Sequence, residues 1–317
     1  METVLRPTYR QLFEREGYPQ GSSWGLWGDD DQIGALNLVT PEKVQAAARL
    51  VKRGAVFPLG WTLELPKPPL FGRESIDHVK RDDGFGMDDH FNCFYPHASS
   101  HWDSLSHYRN PVHGYYGGRT AAEMKGEGAK NSIAEWARVG VATRFVLVDV
   151  ERWRAKQERP IVQGTADAIS LADVIATLAE QRTEVEEGDI LLFRFGWVDW
   201  YEGLDAPGRE ALAEKVWDFA APGLEPSEEI LEWLWDNGVV AAGSDVPALE
   251  VLPYDPHGNP LHARLLALLG INIGEMFALD ALAEDCAQDG VYEGFLTAAP
   301  LNYHGATGSP ANALAFK

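Results

Sequence analysis

From about residue 140 onward, two kinds of apolar pattern alternate along the chain. Short continuous runs come first: Thr143-Arg-Phe-Val-Leu-Val-Asp149-Val is β-rich, and Gly188-Asp189-Ile-Leu-Leu-Phe-Arg-Phe-Gly196 reads as a buried strand. Val239-Val-Ala-Ala-Gly243 and Ile271-Asn-Ile273 continue the series. Between them lie segments with helical start and stop signals. Ser170-Leu-Ala-Asp173 caps a helix through roughly Gln181, with Asp173 completing a variant capping box. A second helix spans about Ser227–Asn237 and stops at Gly238; a third runs Leu261–Leu269 and closes at Gly270. Strands alternating with helices predict an α/β architecture.

The first part of the chain lacks that rhythm. Residues 1–55 read as an N-terminal extension and 56–317 as the main domain. The extension holds a Gly/Trp-rich loop, Ser22-Ser-Trp24-Gly-Leu-Trp27. A helix follows, opened by Thr40 as N-cap with Pro41 at its first position and continuing to Gly54. Residues 63–96 mix short apolar runs with Pro, Gly and Asp, which predicts loops and short strands. With no internal repeat, low-complexity tract or obvious linker, one compact domain with an extension is expected.

Composition narrows function more than fold. Of 317 residues, 45% are hydrophobic and 24% charged, as in ordinary globular proteins. The net charge of −21 argues against nucleic acid and anionic membrane surfaces, which would repel the chain. The charged opening lacks an apolar leader core, and no apolar run approaches the roughly 18 residues of a membrane span, so a cytoplasmic protein is expected. Cys93 and Cys286 are too few for a disulfide framework. Cys93 lies near the histidines described next, but a small buried apolar residue is the better reading.

Five of the nine histidines fall between residues 90 and 113: His90, His97, His101, His107 and His113. Imidazoles and carboxylates are the usual ligands of divalent metals. On a helix, His97 and His101 would share a face while Asp103 and His107 pointed away. On an extended chain, positions 97, 101, 103 and 107 project to one side. An extended segment therefore suits convergence better. It has to bend, because ten residues fully extended span about 33 Å. Trp102, between two ligand candidates, should point the opposite way and pack into the core. The surrounding Phe85, Phe91, Phe94, Tyr95, Tyr108, Tyr115 and Tyr116 favour a flat, apolar or cyclic substrate. Asp29-Asp30-Asp31 reads as solvated, and Ser244-Asp245 as a turn cap.

His97-Ala-Ser-Ser-His101-Trp-Asp103-Ser-Leu-Ser-His107 resembles HxGTHxDxPxH, the signature of the cyclase family of metal-dependent hydrolases. That family includes bacterial kynurenine formamidase and isatin hydrolase. Ser-Ser replaces Gly-Thr, and Leu105 replaces the proline. Pro260-Leu-His262 through Gly270 to Glu275 resembles the family's second element, with one extra residue between His and Glu. Gly188-Asp189 through Trp197 and Gly243-Ser-Asp245 resemble two further runs.

The resemblance implies the swivelling β/β/α fold and a homo-oligomer. It implies His97, His101 and Asp103 as ligands of a divalent ion, Zn²⁺ or Mn²⁺, and His107 as general acid/base. His262 and Glu275 would complete a second metal site or orient water and substrate. The chemistry expected is hydrolysis of an amide, lactam, formamide or ester in a small cyclic or aromatic substrate. A lyase acting through an enolate and a non-catalytic metal-binding protein are the alternatives, and an intact His107 counts against the latter.

Overall fold

The four apolar runs become the parallel centre of one sheet. The computed structural model describes residues 6–317. In it, Val141–Asp149, Ile190–Arg194, Ala241–Ser244 and Asn272–Glu275 lie side by side and parallel. These strands are buried almost throughout, which is why their patterns are continuous rather than alternating. Antiparallel strands extend both flanks. Glu293–Ala298, Ala313–Phe316 and Val56–Pro58 follow outward from Val141–Asp149. His101–Asp103 and Gly308–Pro310 follow outward from Asn272–Glu275. The nine strands and their crossover helices make a single mixed α/β domain.

Local capping chemistry sets most helix starts. The Ser170 hydroxyl accepts from the Asp173 amide at 3.2 Å, opening Leu171–Gln181. Ser227 does the same for Ile230 at 3.4 Å, opening Glu228–Asp236. Thr40 caps Pro41–Ala48, but that helix ends well before the expected Gly54. Beyond it, the Arg53 and Ala55 amides both donate to the Lys317 carbonyl at 3.1 Å, and the chain enters strand Val56–Pro58. Pairing with the C-terminal strand overrides the helical pattern.

The Leu261 helix also departs from expectation. Only Leu261–Arg264 is α-helical; Leu265–Leu269 is a π turn, closed by Gly270 at φ 68°. The carbonyls at its end are taken by the N-terminal segment. Ser23 reaches the carbonyls of Leu268 (backbone amide, 2.9 Å) and Leu269 (hydroxyl, 2.9 Å), and the Trp24 indole donates to Ala267 at 2.7 Å. This clamp sits on the segment that carries His262.

Residues 77–93 form a separate hairpin, Asp77–Asp82 with Met87–Cys93, exposed along nearly its whole length. Cys93 lies half-buried at its end rather than in the core. No helix among the described residues is long and apolar enough to cross a membrane.

Candidate metal centre

The histidine segment is extended only over His101–Asp103. There His101 and Asp103 leave one face of the strand and Trp102 the other. The Trp102 indole is fully buried, 4.8 Å from the Phe277 ring and 5.7 Å from Trp136, and donates to the Ala311 carbonyl at 3.1 Å. The chain turns on both sides of the strand, so His97 and His107 are not carried in by strand alternation. A turn in which the His107 amide donates to the Ser104 carbonyl at 3.0 Å returns His107 to its own strand. Its ring stacks on His97 with centroids 4.3 Å apart.

Sheet register supplies the distant partners. Glu275 pairs with His101 across neighbouring strands, leaving its Oε2 3.2 Å from His101 Nε2. His262, at the start of its helix, places Nε2 3.0 Å from Glu275 Oε1 and 3.7 Å from Asp103 Oδ2. Asp103 Oδ1 lies 3.3 Å from His97 Nε2, 3.4 Å from His101 Nε2 and 3.7 Å from His107 Nε2. His97, His101, Asp103, His107, His262 and Glu275 thus meet in one place. Their donor atoms form two overlapping groups, His97/Asp103/His107 and His101/Asp103/Glu275, each with atoms within 4.8 Å of one another.

The 3.0 Å contact between His262 Nε2 and Glu275 Oε1 is a hydrogen bond, but the short distances around Asp103 are not. His97 Nε2, His101 Nε2 and both Asp103 oxygens are buried without a hydrogen-bond partner among the described residues. Leaving such atoms unmet costs about 1–3 kcal/mol each, more for a charged group. His101 Nδ1 lies 2.8 Å from the Ser99 carbonyl, so it donates there and turns Nε2 toward Asp103. Two imidazole nitrogens and a carboxylate aimed at common space fit a divalent cation.

The electrostatics follow from burial and carboxylates. Burial opposes charge on His101, yet Asp103 and Glu275 override it and hold its pKa at about 9. Burial likewise opposes charge on His262, and Glu250 and Glu275 raise it well above the ordinary value. Burial dominates at His107, whose pKa falls to about 3 despite Asp103, and at His97, which is also lowered. Burial would raise both carboxylates, but the surrounding imidazoles hold Asp103 well below its usual range and Glu275 at about 2. His107 is therefore a neutral imidazole at physiological pH. It lines a cavity of about 370 Å³ with Tyr108, Arg109, Tyr115 and Pro256.

Three residues escape the sequence pattern. Glu250 is fully buried and accepts from the amides of Leu261 (2.6 Å) and His262 (3.0 Å) and from His262 Nδ1 (2.7 Å). Its one signal was a lone glutamate in the apolar run Val246-Pro-Ala-Leu-Glu250-Val. Gly308 pairs opposite Asp103, and a Cβ there would come 2.3 Å from His97 Nε2. Arg73 donates to the His97 carbonyl. Neither of the last two carried a signal.

The residues set aside lie elsewhere. Asp245 caps a strand end, accepting from the Phe195 and Gly196 amides at 2.7 Å. Asp31 is a latch for Gly34 (3.0 Å), Asn37 (2.7 Å) and the Tyr116 hydroxyl (2.9 Å).

Residues 34–251 match the sequence model of the Cyclase family. A crystal structure described as a novel cyclase is 33% identical, covering 93% of this chain and 99% of its own, with a TM-score of 0.82. Isatin hydrolase A from Labrenzia aggregata, solved with benzyl benzoate, is 18% identical over 82% of this chain and 93% of its own, with a TM-score of 0.59. Isatin hydrolase A from Ralstonia solanacearum is 18% identical over 87% and 97%, with a TM-score of 0.56. These two share the fold. No curated protein matches the chain.

Proposed function

The chain belongs to the cyclase family, and on that premise we propose that it is a metal-dependent hydrolase of an amide, lactam, formamide or ester bond. The observation that carries this reading is the set of four buried, unpartnered atoms on His97, His101 and Asp103. His97, His101 and Asp103 would hold Zn²⁺ or Mn²⁺, both of which accept mixed imidazole and carboxylate ligands. His262 and Glu275 would either complete a second site sharing Asp103 or orient water and substrate. A divalent ion in such a site lowers the pKa of water from about 15.7 to about 7 and polarises a carbonyl.

The chain's own residues supply the rest. His107 faces a cavity and stands 3.7 Å from Asp103, whose carboxylate would favour the imidazolium formed when His107 accepts the proton of the attacking water and returns it to the leaving nitrogen or oxygen. Glu250, bonded to His262 Nδ1, fixes that ring so that Nε2 faces Glu275 and Asp103. Ser99 does the same for His101.

Two fold relatives carry the name isatin hydrolase, so isatin is the first cyclic amide to assay. Protein purified without added metal should contain at least one zinc or manganese per chain by elemental analysis, with the stoichiometry reporting one site or two. Hydrolysis should add one water to the product by mass, whereas a lyase of the dehydratase type would remove one. Full activity in a metal-free preparation would sink this reading.

A further inference from the structure

A second cavity, of about 320 Å³, is lined by Tyr108, Trp217, Leu252, Tyr254 and Pro256. It adjoins the centre: the rings of Tyr108 and Tyr254 lie 5.5 Å and 5.9 Å from the His262 ring, and Tyr254 stacks on it at 25°. Such walls suit a flat ring and offer little to a polar chain.

Arg73 comes to the same region from the segment before the hairpin. Its guanidinium carbon lies 4.9 Å over the Phe71 ring, and that ring is 4.9 Å from Trp217 of the cavity wall. The guanidinium's one protein hydrogen bond among the described residues goes to the His97 carbonyl, and no carboxylate of those residues lies within 4.0 Å of it. Its bond to the His97 carbonyl on one side and its stacking on Phe71, which meets Trp217, on the other set it between the centre and the aromatic cavity. A guanidinium offers five donors, so most are free for a ligand. In a chain with 48 acidic and 27 basic side chains, a half-buried arginine without a carboxylate partner calls for a reason. The planar fork matches a carboxylate through two parallel hydrogen bonds.

We propose that Arg73 receives a carboxylate carried by the substrate, so that the enzyme acts on aromatic acids. The ring lies among Tyr108, Tyr254 and Trp217, the carboxylate on Arg73, and the scissile carbonyl at the His97–Asp103 centre. The proposal rests on the hydrolase reading above, and its test separates the two.

Zinc-loaded full-length protein is titrated with benzoate and with benzamide by calorimetry, with zinc content measured on each variant. Wild type should bind benzoate at least tenfold more tightly than benzamide. Arg73→Gln should keep its zinc and lose that preference, and Arg73→Lys should recover part of it. If Arg73→Gln sheds zinc, Arg73→Lys decides, because its ammonium can still reach the His97 carbonyl: a wild-type benzoate preference there overturns the proposal. No preference in wild type, or an unchanged preference in zinc-bound Arg73→Gln, also overturns it, the latter because the carboxylate then binds the metal. An Arg73-dependent preference in a protein without metal-dependent hydrolysis would instead overturn the functional reading alone.

Discussion

Arg194 and Asp103 each stand at the heart of a charged cluster on the same sheet. Arg194 ends a central parallel strand and reaches Asp149 at 2.9 Å, Glu151 at 2.7 Å and Asp280 at 2.8 Å. The Asp149 carboxylate is met a second time by Arg152 at 2.9 Å. Every charge there has an opposite within hydrogen-bond reach. At Asp103 the imidazoles stand farther off, at 3.3–3.7 Å, and the carboxylate oxygens and the facing His97 and His101 nitrogens have no hydrogen-bond partner among the described residues. The first cluster is complete as folded. The second leaves room for a cation to complete it, which is what the proposed metal centre requires, whereas the first is a structural tie.

The comparison can be broken in order of expected effect. Asp103→Ala should abolish metal binding and activity together, since it removes the oxygens common to both donor groups; elemental analysis and turnover of one preparation check this. A folded Asp103→Ala protein with normal zinc content would remove the carboxylate from the centre. His107→Ala should retain metal and lower kcat by about 10²–10⁴-fold, the usual contribution of a positioned proton-transfer group. Metal loss equal to that of Asp103→Ala would instead make His107 a ligand, consistent with its grouping with His97 and Asp103.

Arg194→Met tests the complete cluster. It leaves Asp149 paired with Arg152 but removes the partner of the partly exposed Glu151 and Asp280, and should cost about 1–3 kcal/mol of stability by denaturant unfolding, less than a fully buried pair would. Metal content of the folded fraction should not change. If the variant is as stable as wild type but binds less metal, the division between tie and binding centre is wrong.

A smaller effect sharpens the contrast by pH. His101 and His262 have raised pKa values, so their stabilising contribution is present below about 6.5 and is lost as pH rises, for His101 through about 9. His97 and His107 are lowered, so theirs is present above about 6.5 and is lost as pH falls, for His107 through about 3. Thermal melting of chelator-treated protein should therefore peak near pH 6.5. Zinc should flatten the alkaline limb, because a bound ion takes over from the proton on imidazoles that are neutral when they ligate. A chelated protein with a flat profile from pH 5 to 9 would contradict the histidine environments described above.

Histidine number alone did not define the centre. His90 lies on the exposed hairpin, and His113 packs edge-on to Trp24 at 6.4 Å. His97, His101 and His107 differ from these by burial beside a carboxylate. The alternation argument placed Trp102 in the core and set His101 beside Asp103, because both statements concern one three-residue strand. It did not account for His97 and His107, which arrive through turns.

What the amino-acid sequence determined alone was therefore local. Ser170 and Ser227 mark helix starts because a hydroxyl caps an amide three residues away. The continuous apolar runs mark the central strands because both faces of those strands are covered. The histidine signature and the His262–Glu275 element named the residues of the centre by resemblance. Only the tertiary structure decided how they meet, through the pairing of Glu275 with His101 and the clamp of Ser23 and Trp24 on the helix carrying His262. It alone made Gly308 necessary, since a missing side chain matters only when His97 lies where a Cβ would go. Arg73 and Glu250 became legible for the same reason. Whether a charge is paired, buried or left open depends on groups that the chain brings back from far along its length, and no local pattern encodes that distance.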